Sequence, residues 1–509
     1  MRMRKQILSA ILAGVMIASG VLTGCGSAKE DSSKAAVDTE VQQTAETSDI
    51  DISKEVELVM YAVGSEPNDF GTMMEEFNKM LKEDLNATLK VKWIGWSDWK
   101  NQYPLILSSG ENIDIIYTAT WLNFYQQAQK GAFLPLEELL PVYAPNSWAQ
   151  TSEGARYQAT VDGHIYCVPT GKSTYSSYGA IVRGDLMEKY NLEEFHDFEG
   201  YANYMKTIAE NEPGMQPSGQ YSAEILFDDV YMMSKGLYCL NGSTGGPYWI
   251  DPSQEHPTVF TAAEWDGFPE FLDMMNEWFQ EGFWPASALA NQDDKMLETG
   301  KAASKIHNID TWATEYTKNP DWDLRYYDLV GNINTLSQVQ DAIAIPVTAK
   351  NPERALMLLD KWRTEQKYFD LFTYGIPGVH SEILEDGSVK GLNDDLFNLD
   401  PCSWGFRTDA LLRDNANLPS SYEENMEYIR SHVVENKYRS FFVDTEAVKN
   451  EYAAVQNVMS QYYDPLVLGY TDKEAGLEEL KAQLSAAGND KIKEELQKQL
   501  DSFIESYGK

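Results

Sequence analysis

EVELVMYAV (55–63), DFGTMMEEFNKMLKEDL (69–85), LKVKWI (89–94) and DIIY (114–117) are the stretches that decide the fold. The first, third and fourth are predicted strands, and the second carries Phe, Met and Leu at the spacing of a helix. A further helix is predicted over 99–109. This alternation of strands and helices predicts an α/β lobe whose sheet is rich in parallel strands. In such a lobe the ligand crevice lies beyond the carboxyl ends of the strands.

The rest of the chain continues the alternation and then becomes helical. Further predicted elements are extended segments over 161–169, 179–182, 301–308, 324–330 and 341–346, and helices over 121–130, 185–190, 198–211, 264–281 and 352–366. Beyond Ser421 the pattern is mostly helical. The length of 509 residues predicts two or three domains or one large two-lobed body.

Composition excludes several classes of protein. The chain has 41 Lys and Arg against 79 Asp and Glu, a formal net charge of −38. This balance argues against nucleic acid as a partner and against broad contact with an anionic membrane surface, because both require basic patches. Four cysteines are too few for a disulfide scaffold. Aromatic residues are abundant, at 12% of the chain.

The N-terminus has the layout of a lipoprotein signal peptide. Three basic residues within Met1–Lys5 precede the apolar run 7–24, which closes with Leu22-Thr23-Gly24-Cys25. This ending resembles the lipobox of bacterial lipoproteins, in which Cys25 becomes the lipidated first residue. The alternative is a single transmembrane anchor, since 18 apolar residues are at the lower limit for a span. We therefore expect a signal peptide over 1–24 and, from its polar composition, a disordered tether over 25–54.

Motifs for catalysis and for metals are weak. Thr170-Gly171-Lys172-Ser173-Thr174 looks like the end of a phosphate loop, but Tyr166 stands where the pattern needs its first Gly. The six His form no HExxH motif and no close pair, and no GxSxG motif occurs. The acid pairs 228–229, 293–294 and 423–424 are compatible with a glycoside hydrolase but arise readily in so acidic a chain. The sequence therefore predicts no catalytic residue, no metal and no cofactor.

Aromatic clusters are the more informative signal. Trp93-Ile94-Gly95-Trp96-Ser97-Asp98-Trp99 places three Trp in seven residues, just past a predicted strand, and Trp121 follows another. Further aromatic residues fall near predicted loops or turns: Tyr175, Tyr178, Trp249, Trp284, Trp312 and Trp404. An aromatic ring beside a carboxylate or amide suits a sugar, which has apolar C–H faces and a rim of hydroxyls. The competing interpretation is that these rings fill a core or seal an interface between lobes.

Several segments, in order along the chain, resemble the bacterial extracellular solute-binding proteins of family 1, which include the maltodextrin-binding proteins of ABC importers. The segments that carry the resemblance are DIIYTATWLNFYQQAQKGAFLPLEELL (114–140), Val168–Met187, GKAASKIHNIDTW (300–312), Asp341–Trp362, GIPGVH (375–380) and KIKEELQKQLDSF (491–503). The last two resemble a long Gram-positive lipoprotein subgroup linked with complex oligosaccharides. Asp310 and Thr311 before Trp312 depart from the maltodextrin pattern, so the identity of the substrate does not carry over.

The resemblance implies an α/β, two-lobed periplasmic-binding-protein-like fold with hinge crossings and a helical C-terminal region. It places the first lobe at 55–168 and 330–375, and the second lobe, with its helical extension, at 169–329 and 376–509. Carried over onto this sequence, it also implies a set of ligand-binding residues. These are Trp96, Trp99 and Trp121 in the first lobe, Tyr175 and Tyr178 past the first crossing, and Asp310 and Trp312 in the second lobe. Trp249, an aromatic residue near a predicted loop or turn, completes the predicted ligand-binding set.

The function that the resemblance implies is binding without chemistry. We expect a monomeric receptor, held on the extracellular face of a Gram-positive cell membrane by the lipid on Cys25. It would bind a carbohydrate, an oligosaccharide by expectation, and deliver it to the permease subunits of an ABC importer. The alternatives are a receptor for peptide or another solute and, from a different class, a cell-surface glycan hydrolase.

Overall fold

The computed structural model describes residues 51–96, 99–219, 226–240, 244–291 and 293–506, all within one compact unit. The predicted signal peptide, Cys25 and nearly all of the predicted tether lie outside these described residues. Among the helices in the described ranges, none combines the length and the apolar character needed to cross a bilayer.

Strands in the described residues are mostly short. They are β1 Val56–Val63, β2 Ala87–Ile94, β3 Ile115–Thr118, β4 Thr160–Val161, β5 His164–Ile165, β6 Cys167–Pro169, β7 Tyr178–Val182, β8 Tyr238–Cys239, β9 Tyr248–Ile250, β10 Phe260–Thr261, β11 Ser304–Asn308, β12 Arg325–Asp328, β13 Ile333–Asn334, β14 Ala342–Ala344, β15 Ser381–Ile383, β16 Val389–Gly391 and β17 Val433–Val434.

More of the described residues lie in helices than in strands. They are α1 Phe70–Leu85, α2 Trp99–Ser108, α3 Phe124–Gln129, α4 Leu140–Tyr143, α5 Pro145–Gln150, α6 Glu153–Gln158, α7 Gly184–Tyr190, α8 Phe198–Asn211, α9 Phe227–Ser234, α10 Phe268–Gln280, α11 Ile309–Lys318, α12 Pro352–Thr364, α13 Gln366–Tyr374, α14 Ser421–Ser431, α15 Lys449–Val458, α16 Asp464–Val467, α17 Lys473–Ala486 and α18 Asn489–Ser506.

The first lobe is built on a five-stranded sheet of order β2-β1-β3-β14-β6. β1 is parallel to β2 along its whole length and parallel to β3, as the alternation of strands and helices predicts. β14 runs antiparallel to its neighbours, pairing Ala342 with Thr118 of β3 and with Pro169 of β6. The carboxyl ends of β1, β2, β3 and β6 therefore meet at one edge, together with the start of β14. We call this the open edge of the first sheet.

The second lobe has β7 at the centre of an antiparallel sheet of order β11-β7-β12. Asn308, the end of β11, pairs with Tyr178 at the start of β7, and Asp328, the end of β12, pairs with Gly179. A residue with a Cβ does not fit at Gly179, because that atom would lie 2.3 Å from the Tyr327 carbonyl oxygen. One edge of this sheet therefore carries the start of β7 and the ends of both its neighbours.

Hydrogen-bonded crossings join the two lobes. Residues 170–177 lead from β6 to β7, and residues 329–341 lead back from β12 to β14. The Ser176 amide donates to the Asn334 carbonyl at 2.8 Å, and the Leu336 amide donates to the Thr174 carbonyl at 2.9 Å. A third segment joins them where the Gly171 amide donates to the Arg407 carbonyl at 2.8 Å. These are the hinge crossings that the resemblance implies.

The described residues contain three hydrophobic clusters. One packs around the first sheet, α1, α12 and α13; another packs on one face of the second sheet with α8, α9 and α10; the third packs on the opposite face with α11 and α14. The C-terminal helices α15–α18 bury Val455, Leu466, Leu480, Leu496 and Leu500 in the second of these clusters. The second sheet is therefore covered on both faces.

The packing of one segment differs from the predicted division into lobes. Val389, Phe397, Cys402 and Phe406 belong to the cluster of the first lobe, whereas the sequence analysis assigned everything after 375 to the second lobe. Phe406 stacks on Trp362 of α12 with 4.6 Å between the ring centroids, which fixes the segment there. The other lobe boundaries stay predictions.

Cysteines in the described residues are buried and outside disulfides: Cys167, Cys239 and Cys402. Burial raises the pKa of the Cys167 and Cys402 thiols well above the ordinary value.

Candidate functional site

A group of four half-buried tryptophans lines the open edge of the first sheet. Trp96 follows β2, Trp121 lies in a 3₁₀ turn that follows β3, and Trp99 begins α2. The centroids of the Trp96 and Trp121 rings are 6.0 Å apart, and those of Trp99 and Trp121 are 5.1 Å apart. Trp404 joins them at 5.6 Å from Trp96. We call these four residues the tryptophan wall.

Tyr117 connects the tryptophan wall to a charged cluster. Its buried ring lies 5.7 Å from Trp121 and 5.9 Å from Trp404, and its hydroxyl donates to Asp341. Burial raises the pKa of the Asp341 carboxyl, against the opposing effects of the Tyr117 hydroxyl and the Arg407 charge. Asp341 therefore contacts Tyr117, which packs on the tryptophan wall, and also feels the charge of Arg407.

The charged cluster centres on Asp310, which receives two cations. Lys172 Nζ lies 3.1 Å from Asp310 Oδ2, and an Arg407 guanidinium nitrogen lies 3.5 Å from the same oxygen. Arg407 also donates to Asp400 through its Nε at 2.5 Å. Partial desolvation opposes ionisation of Asp310, but the charges of Lys172 and Arg407 outweigh it and lower its pKa to about 2. We call Lys172, Asp310, Asp400 and Arg407 the ion cluster.

The members of the ion cluster come from different parts of the fold. Lys172 lies in the first crossing, and Arg407 follows the segment that packs into the first lobe. Asp310 lies in the first turn of α11, at the edge of the second sheet. The side chain of Asn308 caps that helix by accepting a hydrogen bond from the Thr311 amide at 2.9 Å. The ion cluster therefore joins the two lobes beside the crossings.

The structure brings together some of the predicted site residues. Trp96, Trp99 and Trp121 form the tryptophan wall with Trp404, and Asp310 lies in the ion cluster. The half-buried Tyr175 lies in the first crossing, where it forms an isolated bridge with Thr335. Tyr178 begins β7 and is buried, with its ring centroid 6.2 Å from that of His307. The ligand-binding roles of these six residues stay predictions.

Trp249 and Trp312 need correction, because the structure places both inside hydrophobic clusters. Trp249 in β9 is 1% exposed. Trp312 in α11 is 0% exposed, and its indole nitrogen donates to the Leu324 carbonyl at 2.7 Å. Trp312 also packs against Tyr422 of α14, with a centroid distance of 6.0 Å. Neither ring offers a face to a ligand here, so we leave both out of the candidate site.

The sequence does not predict four members of the tryptophan wall and the ion cluster: Trp404, Lys172, Asp400 and Arg407. It places Trp404 near a turn and gives it no role. Lys172 lies in a stretch that looks like the end of a phosphate loop, whereas in the structure its ammonium group contacts Asp310. Arg407 lies 97 residues from Asp310 and had no local signal. The close contact of Gly171 with Arg407 and Thr408 brings Lys172 and Arg407 together, and the sequence does not show it.

One member of each acid pair that is compatible with a hydrolase makes a contact outside the tryptophan wall and the ion cluster. Asp228 accepts a hydrogen bond from the Tyr463 hydroxyl at 2.6 Å, and burial raises its pKa. Asp293 pairs with Lys301, and Glu423 pairs with Arg430. Within the described ranges, no group of three or more His, Cys, Asp or Glu side chains is arranged to hold a metal ion.

Comparison with families gives two matches. Residues 72–391 match the family described as bacterial extracellular solute-binding protein. Residues 437–505, which hold most of the C-terminal helical region, match a domain of unknown function, DUF3502.

Individual proteins similar to this chain include two from named bacteria. A carbohydrate ABC transporter substrate-binding protein of Streptococcus pneumoniae is 25% identical over 517 residues, covering 97% of each chain. Lipoprotein LipO of Bacillus subtilis is 21% identical over 351 residues, covering 62% of this chain and 64% of its own.

Solved structures with the same fold include the N-glycan transport solute-binding protein NgtS of S. pneumoniae. Its complex with Man1GlcNAc has a TM-score of 0.77 at 23% identity, covering 89% of this chain and all of that one. Its complex with Man5GlcNAc has a TM-score of 0.75 at 24% identity, covering 90% of this chain and all of that one. The likeness supports the two-lobed fold described above.

Proposed function

The chain belongs to the bacterial extracellular solute-binding proteins, and from this premise we propose that it is the substrate-binding component of an ABC importer for carbohydrate. It captures an oligosaccharide between its lobes and delivers the sugar to permease subunits in the membrane. It works as a monomer and performs no reaction on its ligand.

The observation that carries this proposal is the tryptophan wall beside the ion cluster. Indole faces at the open edge of a sheet offer the apolar surface that the C–H face of a sugar ring needs. The carboxylates and cations next to them offer hydrogen bonds to hydroxyl groups. The same edge is where open α/β sheets bind their ligands. The hinge crossings allow the two lobes to close on a ligand.

The similar proteins support the same class of ligand. A full-length relative is named as a carbohydrate ABC transporter substrate-binding protein, and NgtS is described in complex with Man1GlcNAc and with Man5GlcNAc. We therefore propose an oligosaccharide rather than a peptide. The aromatic rings of Trp96, Trp99 and Trp121 are proposed to stack on it, with Tyr175, Tyr178 and Asp310 completing the site.

Binding without catalysis can be tested on residues 51–509. A thermal-shift screen against a glycan library that includes Man5GlcNAc, followed by calorimetry, should identify a sugar that raises the melting temperature. Chromatography after long incubation should then recover that sugar intact. Release of shorter sugars would favour the glycan hydrolase, and a response to peptides alone would favour a receptor for peptide.

The lipid anchor requires a separate experiment on the full chain. We propose that Cys25 is acylated and holds the protein on the extracellular face of the cell membrane. Cys25→Ser should release the protein into the medium or leave an unprocessed precursor. Mass spectrometry of the mature N-terminus checks this, and a mature chain that begins elsewhere than residue 25 would contradict it.

A further inference from the structure

Two cations lie beside the tryptophan wall, where they would attract an acidic sugar. The side chains of Lys172 and Arg407 are 19% and 10% exposed, and both contact one carboxylate, that of Asp310. Guanidinium and ammonium groups are the usual partners of carboxylates and phosphates. If these two cations were unpaired, the site would favour uronic acids and phosphorylated sugars.

Asp310 neutralises this attraction. Its side chain is 45% exposed, more than that of any other member of the ion cluster. Asp310 is therefore the member that a ligand reaches most readily. Lys172 contacts both of its carboxylate oxygens, at 3.1 and 3.3 Å. Arg407 is also held by Asp400. The two cations of the ion cluster therefore face its two carboxylates, with Asp341 acting on Arg407 as a third carboxyl group, so no net positive charge is presented to a ligand.

We propose that Asp310 is a specificity-determining residue that restricts the site to uncharged glycans by occupying Lys172 and Arg407. This inference rests on the proposed function and adds to it a class of substrate. A carboxylated sugar would have to displace Asp310 from both cations or lie against it as a like charge, and either arrangement weakens binding.

The net charge of the chain does not produce the same selectivity. The charged side chains that give the net charge of −38 are spread over 509 residues. Salt at 0.15 M screens exposed charges that lie more than about 8 Å apart. Contacts inside the ion cluster are shorter than 4 Å, so they persist at that salt concentration. If Asp310 causes the preference for neutral over acidic glycans, replacing Asp310 should change that preference. Removing another acidic residue of equal charge should not change it.

The experiment compares a neutral glycan with its acidic counterpart. Man5GlcNAc and the same glycan with its primary hydroxyls oxidised to carboxylates are titrated into residues 51–509 at 0.15 M salt, and binding is followed by tryptophan fluorescence. The wild-type protein should prefer the neutral form. In Asp310→Asn, the ratio of the two affinities should shift towards the oxidised form by at least roughly tenfold. An unchanged ratio would overturn the proposal.

Matched variants distinguish an effect of the ion cluster from a general effect of removing one negative charge. Asp409→Asn removes the same charge at an exposed position nearby, where Asp409 accepts hydrogen bonds from Ser173, and it should leave the ratio unchanged. Adding Lys172→Gln to Asp310→Asn should reverse the gain for the oxidised glycan. Arg407 keeps Asp400 in every variant, so we expect all of them to fold, and a thermal melt checks this.

A second probe keeps this proposal distinct from the proposed function. Trigalacturonate is titrated into the wild-type protein and into Asp310→Asn, and only the variant should bind it measurably. If the wild-type protein binds no neutral glycan while the variant gains trigalacturonate, the proposed function and the restriction to uncharged glycans fall, and only the exclusion of acidic sugars by Asp310 stands. If neutral glycan binds but trigalacturonate is not gained, the role of Asp310 falls alone.

Discussion

Two pairs of tryptophans that the sequence predicts as ligand-binding, one pair in each lobe, differ in the surface they leave exposed. Trp96 and Trp121 lie past the ends of β2 and β3 and are half-buried, whereas Trp249 and Trp312 are 1% and 0% exposed. The open edge of the first sheet leads into loops that leave ring faces uncovered. Trp249 in β9 and Trp312 in α11 are instead enclosed by the two hydrophobic clusters that pack on the faces of the second sheet. What covers a strand end decides whether an aromatic residue there belongs to a core or to a site.

The largest effect that tests this comparison is expected at Trp312. Trp312→Ala empties a fully buried site and removes the hydrogen bond to Leu324, so the free energy of unfolding should fall by about 3–5 kcal/mol. A urea melt followed by circular dichroism measures the loss. The sugar affinity of the fraction that remains folded should be unchanged. If Trp312→Ala instead lost little stability and bound sugar more weakly, Trp312 would be a ligand-binding residue and the contrast between the two lobes would fail.

Two acidic side chains of the second lobe also differ in burial and give the next prediction. Asp328, at the end of β12, is buried, and burial raises its pKa to about 6, whereas that of Asp310 is lowered to about 2. Its Oδ1 accepts hydrogen bonds from the Val330 and Gly331 amides at 3.0 and 2.9 Å. The charges of His196 and His432 act against the shift without cancelling it.

The sign of the pH effect follows from the raised pKa. Between about pH 4 and 6 the native Asp328 holds a proton that the unfolded chain has released, so stability falls as the pH rises through this window. The loss approaches about 3 kcal/mol by pH 7. Asp328→Asn should abolish this part of the pH dependence. Urea melts of both proteins from pH 4 to pH 8 check it, and parallel stability profiles would contradict it.

The smallest expected effect lies in the first lobe, on binding rather than stability. Trp121→Ala removes a half-buried ring from the centre of the tryptophan wall, and sugar affinity should fall by about 1–2 kcal/mol, roughly 5- to 30-fold. Trp148→Ala is the matched control, because Trp148 is also half-buried in the first lobe but packs against Arg156. Calorimetry measures the sugar affinity of both variants, and equal losses would show that Trp121 is not part of the binding site.

The first lobe could be predicted closely from the sequence because its patterns are strong and local. The predicted helix over 69–85 is α1 at Phe70–Leu85, and the predicted strand over 89–94 lies within β2 at Ala87–Ile94. The helix predicted over 121–130 is instead a 3₁₀ turn followed by α3, because Asn123 adopts a left-handed conformation between them.

The second lobe and the ion cluster were predicted less well, for physical reasons. The strand before Asn308 was predicted, but α11 was not, since its Thr, Asp and aromatic residues have weak helix propensity. Its stability comes from the Asn308 cap and from packing of Trp312 against neighbouring elements. The ion cluster joins Asp310 to a residue 138 positions before it and another 97 positions after it. Such pairs have no local pattern and exist only once the chain has folded.

Burial of the cysteines makes this chain suited to become an optical sensor for its own ligand. Maleimide dyes react with accessible thiolates, and Cys167, Cys239 and Cys402 offer none because they lie in the hydrophobic clusters. A cysteine introduced at Glu75 on α1 and another at Glu494 on α18, both exposed positions, would be labelled selectively in residues 51–509 without removing any native thiol. Energy transfer between the two dyes would then convert hinge closure into a colour change.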